Sequence, residues 1–81
     1  MRTVFSHKFL RQYHAAPEVR QRQFDKQLAF LIQNVRHPSL RAKIYDEGTR
    51  VWQARVNGGW RFYFQIRGDA YYFLTIGPHP K

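Results

Sequence analysis

The stretch VWQARVNGGWRFYFQIRGDAYYFLTIGPHPK, residues 51–81, predicts three short strands joined by two tight turns. The turns are NGG at 57–59 and RGD at 67–69, and both contain glycine, which readily adopts the positive φ angles of a tight hairpin. Because turns this short leave no room for a crossover, the successive strands must be antiparallel. We therefore predict a β-meander in the last third of the chain.

Side chains in these strands alternate between the two faces of the sheet. One face is apolar, and the other carries cationic, amide and phenolic side chains: Gln53, Arg55, Arg61 and Tyr63. Two guanidinium groups on neighbouring strands can hold one phosphodiester, because each donates hydrogen bonds in pairs. A sheet face that serves only solubility has the same pattern, so alternation alone leaves both interpretations open.

The first part of the chain, residues 1–36, predicts a brief strand followed by a helix hairpin. The strand is expected from Thr3 to Phe5. Ser6 can cap a helix from His7 to Ala15, because its hydroxyl accepts a hydrogen bond from the first turn. Pro17 suits the first position of a second helix.

The second helix is predicted from apolar residues that recur at helical spacing: Phe24, Leu28, Leu31, Ile32 and Val35. On this period Gln27 faces solvent, together with Arg20, Gln21 and Asn34. Pro38 places the end of the helix near residues 34–36. An edge strand from Lys43 to Tyr45 then precedes the meander, so residues 43–77 predict an antiparallel sheet of about four strands.

The expected fold is a single two-layer α+β domain over residues 1–81, with the helix hairpin packed on one face of the sheet.

The chain has 14 Lys and Arg against 5 Asp and Glu, a net charge of +9. Such a charge favours polyanions, most often nucleic acid and less often an acidic protein or a membrane surface. The absence of cysteine excludes disulfides and thiolate metal sites. Without a signal peptide or an apolar span, we expect a cytoplasmic protein.

Histidines are the other candidates for chemistry. His79 follows the last strand, and histidine is the side chain best suited to proton transfer near neutral pH. It also lies between two prolines near the chain end, where a frayed, inactive tail is the alternative. His7 and His14 share a helix face but have no third ligand at suitable spacing, so we expect no metal site.

Three segments in this order carry a family resemblance: RHPSLRAK at 36–43, VWQARVNGGWRFYFQI at 51–66 and FLTIGPH at 73–79. The chain resembles the RelE/ParE superfamily of toxins from bacterial toxin–antitoxin pairs. The resemblance implies the fold just described, and a cognate antitoxin that wraps the toxin and blocks its active face. RelE members cut mRNA in the ribosomal A site without a metal or other cofactor, through attack of the RNA 2′-hydroxyl on the adjacent phosphate.

The resemblance also implies roles for individual residues. Arg61, after Trp60, matches the active-site arginine that stabilises the phosphate. Gln53 and Arg55 fall where RelE members place basic residues, and His79 falls where some members carry a histidine general acid. The residues predicted to be catalytic are therefore Arg61, Arg55 and His79, and those predicted to bind substrate are Lys43, Gln53 and Tyr63.

The chain departs from the RelE pattern at two points. Gln53 cannot act as a base, and the tyrosine that RelE members place beyond this region has no counterpart before Lys81. ParE-like members inhibit DNA gyrase without a nucleolytic site. The resemblance thus favours an mRNA endonuclease, with two alternatives: a gyrase inhibitor, and a relative that only binds antitoxin or RNA.

Overall fold

A computed structural model describes residues 1–79 and shows a helix hairpin packed on a five-stranded sheet. The elements in chain order are β1 (Arg2–Phe5), α1 (His7–Ala15), α2 (Glu18–Gln33), a 3-10 helix (Pro38–Leu40), β2 (Lys43–Asp46), β3 (Val51–Arg55), β4 (Trp60–Arg67) and β5 (Ala70–Pro78). No helix within residues 1–79 combines the length and apolar character needed to cross a membrane.

The sheet order is β1-β5-β4-β3-β2, and every neighbouring pair is antiparallel except β1 and β5. The predicted α+β architecture and the meander are confirmed. The strand count is five rather than about four, because β1 pairs in parallel with Ala70 to Phe73. That pairing joins residues far apart in sequence, so the local pattern around Thr3 does not indicate it.

The ends of the helices follow from short-range hydrogen bonds. The Ser6 hydroxyl accepts from the Phe9 N–H at 2.9 Å and so caps α1 as predicted. Pro17 lies at the N-cap of α2, one residue before its predicted position, and Glu18 complements the positive end of the helix dipole. The last turn closes where the Asn34 N–H donates to the Phe30 carbonyl at 2.9 Å.

The core between the two layers is mainly aromatic. Phe24 of α2 meets Phe62 and Phe73 edge-on, with ring centroids 5.0 and 5.9 Å away. Rings of this size each remove about 150–250 Å² from water, which offsets the small size of the chain. Ile66 lies on this apolar face by alternation, but it remains 38 % exposed because the buried cluster ends at Phe64 on this strand.

A bulge in β5 changes the side-chain alternation near the end of the chain. Tyr63 pairs with Thr75 and Phe64 pairs with Phe73, so Leu74 is the extra residue. Phe73 and Ile76 are both buried in the core although they are three residues apart. Beyond the bulge, Thr75 therefore lies on the sheet face away from the helices, as its partner Tyr63 does.

Gln27 is the main correction to the predicted helix faces. It is only 4 % exposed rather than facing solvent. Its Nε2 donates to the carbonyls of Ser39 at 3.0 Å and Arg55 at 2.7 Å, and its Oε1 accepts from the Ser39 hydroxyl at 2.8 Å. A buried amide with every group paired is stable, and here it joins α2 to the 3-10 helix and to β3.

We expect Gln27→Leu to lower the free energy of unfolding by about 2–3 kcal/mol, because the carbonyls of Ser39 and Arg55 lose their donor. The measurement is urea unfolding of the variant against the wild type. Gln33→Leu, at an exposed position of the same helix, is the matched control and should change stability by less than about 0.5 kcal/mol. Equal midpoints for the two variants would show that the buried network contributes nothing.

Candidate functional site

Two arginines face each other across neighbouring strands. Arg55 of β3 pairs directly with Arg61 of β4, and residues paired in this way point to the same face of a sheet. The adjacent pair, Ala54 and Phe62, is buried under the helices. Alternation therefore places the two arginines on the opposite face, which we call the open face.

The open face also holds three other predicted residues. Gln53 pairs with Tyr63 on one side and with Lys43 on the other. The structure thus brings together five of the six predicted site residues on three adjacent strands. Lys43 is exposed on the edge strand, whereas Gln53 is 7 % exposed and offers little surface to a ligand.

Arg61 is anchored at one end of its guanidinium group. Its Nη1 donates to the carbonyls of Asn57 at 2.7 Å, Trp60 at 3.0 Å and Gly58 at 3.4 Å. Its other two nitrogens make no hydrogen bond within residues 1–79. The β3–β4 turn therefore fixes the guanidinium group while two of its nitrogens stay available to a ligand.

Both guanidinium groups have a nitrogen near Gly58. The Nη2 of Arg55 would lie 3.7 Å from a Cβ atom at Gly58, and the Nη1 of Arg61 lies 3.4 Å from the Gly58 carbonyl. Like charges directly opposite each other destabilise a sheet. Within residues 1–79, the ion pairs are Arg2 with Asp69 and Arg22 with Glu18, so neither arginine of the open face has a carboxylate partner. A bound anion would relieve this repulsion.

Tyr63 is a hydrogen-bond donor rather than a base. Its hydroxyl donates to the Gln53 Oε1 at 3.2 Å. Burial raises the pKa of Tyr63 above its usual value of 10.0, and the nearby Tyr45 raises it further while Arg61 lowers it. The phenol therefore stays protonated near neutral pH.

Tyr45 is a residue of this surface that the sequence analysis missed. Its ring meets the Tyr63 ring edge-on at 4.9 Å, and it is 61 % exposed. Alternation from Lys43 gives a signal, because residues two apart in a strand share a face. The two tyrosines border a shallow depression of about 690 Å³, whose lining includes Val51, Trp60, Thr75 and Gly77. Aromatic surfaces of this kind stack on nucleobases.

A backbone hydrogen bond holds His79 at the end of the sheet where Arg61 lies. Its N–H donates to the Gly59 carbonyl at 2.8 Å, which extends the β4–β5 ladder beyond the pairing of Trp60 with Pro78. Its backbone therefore lies beside the β3–β4 turn that anchors Arg61. The side chain is exposed, as a group that exchanges protons with substrate and solvent requires.

Metal ligands do not cluster in the described part of the chain. Within residues 1–79, no three His, Asp or Glu side chains lie close enough together to hold a metal ion. His7 and His14 are exposed on α1.

Comparison with known proteins finds similarity in structure and not in sequence. No protein-family profile matches the chain, and no curated protein sequence gives a significant match. The YoeB/ParE toxin from Agrobacterium tumefaciens superposes with a TM-score of 0.83 at 10% identity, over 99% of this chain and 100% of that one. YafQ from E. coli strain BL21(DE3) superposes with a TM-score of 0.79 at 14% identity, over 98% of this chain and 94% of that one.

YafQ in the E. coli DinJ–YafQ complex gives the same TM-score of 0.79 at 15% identity, over 98% of this chain and 94% of that one. Nearly complete coverage at these scores shows that the chain has the fold of the RelE/ParE toxins. The fold implied by the sequence resemblance is thereby confirmed.

Proposed function

We propose that this chain, which has the RelE/ParE toxin fold, is the toxin of a bacterial type II toxin–antitoxin pair and cleaves mRNA on the ribosome without a metal. The observation that carries the proposal is the pairing of Arg55 with Arg61 on the sheet face opposite the buried core. Two arginines paired across neighbouring strands, without a carboxylate partner within residues 1–79, suit a phosphodiester.

The proposed reaction is an internal displacement at phosphorus. The 2′-oxygen of the RNA attacks the adjacent phosphorus, the bond to the 5′-oxygen breaks, and a 2′,3′-cyclic phosphate and a 5′-hydroxyl result. Arg55 and Arg61 stabilise the negative charge that develops on the phosphate oxygens. His79 donates the proton that the departing 5′-oxygen takes up. The 2′-hydroxyl proton passes to water, because Gln53 and Tyr63 cannot accept it.

The proposed partners are the ribosome with its mRNA and a cognate antitoxin. The chain carries a net charge of +9, which favours association with ribosomal RNA and with an acidic protein. The similar fold of YafQ in the DinJ–YafQ complex supports an antitoxin partner. We propose that the antitoxin neutralises the chain by covering the open face.

A gyrase inhibitor without nuclease activity is the second candidate. The observation that favours it is the lack of a general base among the predicted site residues, since Gln53 cannot accept a proton and the phenol of Tyr63 stays protonated. Induction of the chain in growing bacteria separates the two functions. Translation that stops with cleaved mRNA supports the endonuclease, whereas stalled replication with DNA damage supports the gyrase inhibitor.

Gly77 gives a steric test of the proposed site. It pairs with Arg61, and a Cβ atom there would meet no heavy atom within 4 Å. We expect Gly77→Leu to slow mRNA cleavage at least about tenfold, because the new side chain occupies space beside the phosphate. Gly77→Ala should have a smaller effect, and both variants should unfold at wild-type urea concentrations. A Gly77→Leu enzyme with wild-type activity would place the substrate elsewhere.

A further inference from the structure

A second groove lies on the helix side of the β3–β4 turn. Its volume is about 560 Å³, and its lining includes three cations, Lys26, Arg41 and Arg55. No Asp or Glu lines it, and none of the three cations forms an ion pair within residues 1–79. A concave surface with this charge suits a phosphate group.

We propose that this groove binds the phosphate backbone of the substrate RNA next to the scissile phosphate, so that the strand crosses the β3–β4 turn. The inference rests on the proposed function, because it concerns the same RNA strand where that strand continues beyond the open face. Arg55 supports a continuous path for the RNA from the open face to the groove, since it belongs to the open-face pair and also lines the groove.

Asn57 shows that a single turn separates the two surfaces. Its carbonyl accepts from the Arg61 Nη1 at 2.7 Å on one side. Its side-chain amide donates to the Gln23 Oε1 at 2.9 Å on the other, where both residues line the groove. An RNA strand that leaves the arginine pair therefore reaches the groove by passing over one turn.

Part of the groove lining is held in place by hydrogen bonds. Gln27 bonds to the backbone of Arg55 and Ser39 from its buried position, and all three residues contribute to the lining. The charged side chains thus project from three elements held together by one hydrogen-bonded amide. A surface fixed in this way loses less entropy when it binds a ligand than a flexible one.

The backbone conformation of Arg41 gives independent support for the groove as a binding site. Its φ angle is 47°, in the left-handed region where glycine is favoured and a residue with a side chain is strained. An arginine at the end of the 3-10 helix therefore costs stability and adds a cation to the groove. Arg50 has a φ angle of 58° and is exposed outside the groove, so it provides a matched comparison.

The test compares Arg41→Gly with Arg50→Gly. Both changes remove one charge and relieve the same backbone strain, so both variants should unfold at or above the wild-type urea midpoint. The probe is a fluorescein-labelled RNA of twelve 2′-O-methyl nucleotides, which cannot be cleaved because its 2′-oxygen is blocked. Affinity is measured by fluorescence anisotropy over a series of salt concentrations.

We expect Arg41→Gly to weaken RNA binding roughly three- to tenfold and to lower the slope of log K against log salt by about 0.7. Arg50→Gly should weaken binding less than about twofold. A second matched pair, Lys26→Gln against the exposed Lys8→Gln of α1, should show the same difference.

Equal losses within each matched pair would overturn the inference, because they would reflect net charge alone. Unchanged affinity in Arg41→Gly and Lys26→Gln would also overturn it. Cleavage of ribosome-bound mRNA by the wild type is measured in parallel and decides the proposed function separately. Groove-dependent binding by a chain that cleaves no mRNA would overturn the proposed function and would support the groove as an RNA site.

Discussion

Replacement of Arg61 by alanine is expected to slow cleavage of ribosome-bound mRNA by about 10²–10³-fold and to abolish growth inhibition. The physical reason is that Arg61 is fixed by three turn carbonyls before substrate arrives. A charge that is already oriented costs no reorganisation when the transition state forms. The measurement is the single-turnover rate on ribosomes at saturating toxin.

The same hydrogen bonds make a folding control necessary. Arg61→Ala removes three contacts to the β3–β4 turn and should cost about 1–2 kcal/mol of stability. Urea unfolding checks that the variant is folded under the assay conditions. Arg61→Lys retains the positive charge and loses the planar, paired donors, so it should recover only part of the rate.

Arg67→Ala is the matched control for charge. Arg67 lies on the same strand and donates to the Gln65 Oε1 at 3.0 Å, with its guanidinium group 4.5 Å from the Tyr72 ring. Its removal changes the net charge by the same amount but leaves the cross-strand pair intact. Equal losses of activity in Arg61→Ala and Arg67→Ala would reduce the role of Arg61 to overall charge.

The arginine pair could be predicted from the sequence because its determinants are local. A short turn at 57–59 fixes the register of the two flanking strands, and alternation then assigns Arg55 and Arg61 to one face. The same alternation directs Trp52 and Trp60 to the core side of the sheet, and both pack against the core. Trp60 also borders the depression beside Tyr63, which alternation alone did not indicate.

Features that depend on distant residues could not be predicted. Gln27 is buried because it bonds to Ser39 and Arg55, which lie 12 and 28 positions further along the chain. Helical periodicity ranks positions by hydropathy and so assigned this amide to solvent. The bulge at Leu74 also involves a distant residue, since the Ser6 hydroxyl donates to the Leu74 carbonyl at 3.0 Å. The hydrogen bond from the His79 N–H to the Gly59 carbonyl likewise joins residues that are distant in the sequence.

His79→Gln is expected to slow cleavage of ordinary mRNA at least about tenfold, because the 5′-oxygen would leave without a proton. The backbone contact to Gly59 does not depend on the side chain, so the variant should keep the local structure. His7→Gln, at an exposed position of α1, is the matched control and should retain the wild-type rate.

A substrate with sulfur in place of the 5′-bridging oxygen separates proton donation from positioning. A thiolate is a far better leaving group than an alkoxide, since a thiol has a pKa of about 8.5. If His79 supplies the proton, His79→Gln should cleave the sulfur substrate within about twofold of the wild-type rate, because the step lost in the variant is no longer needed. Arg61→Ala should remain slow on both substrates, since phosphate charge still develops when sulfur leaves. A His79→Gln variant that is equally slow on both would make His79 a positioning residue, and one that is unimpaired on both would remove it from the mechanism.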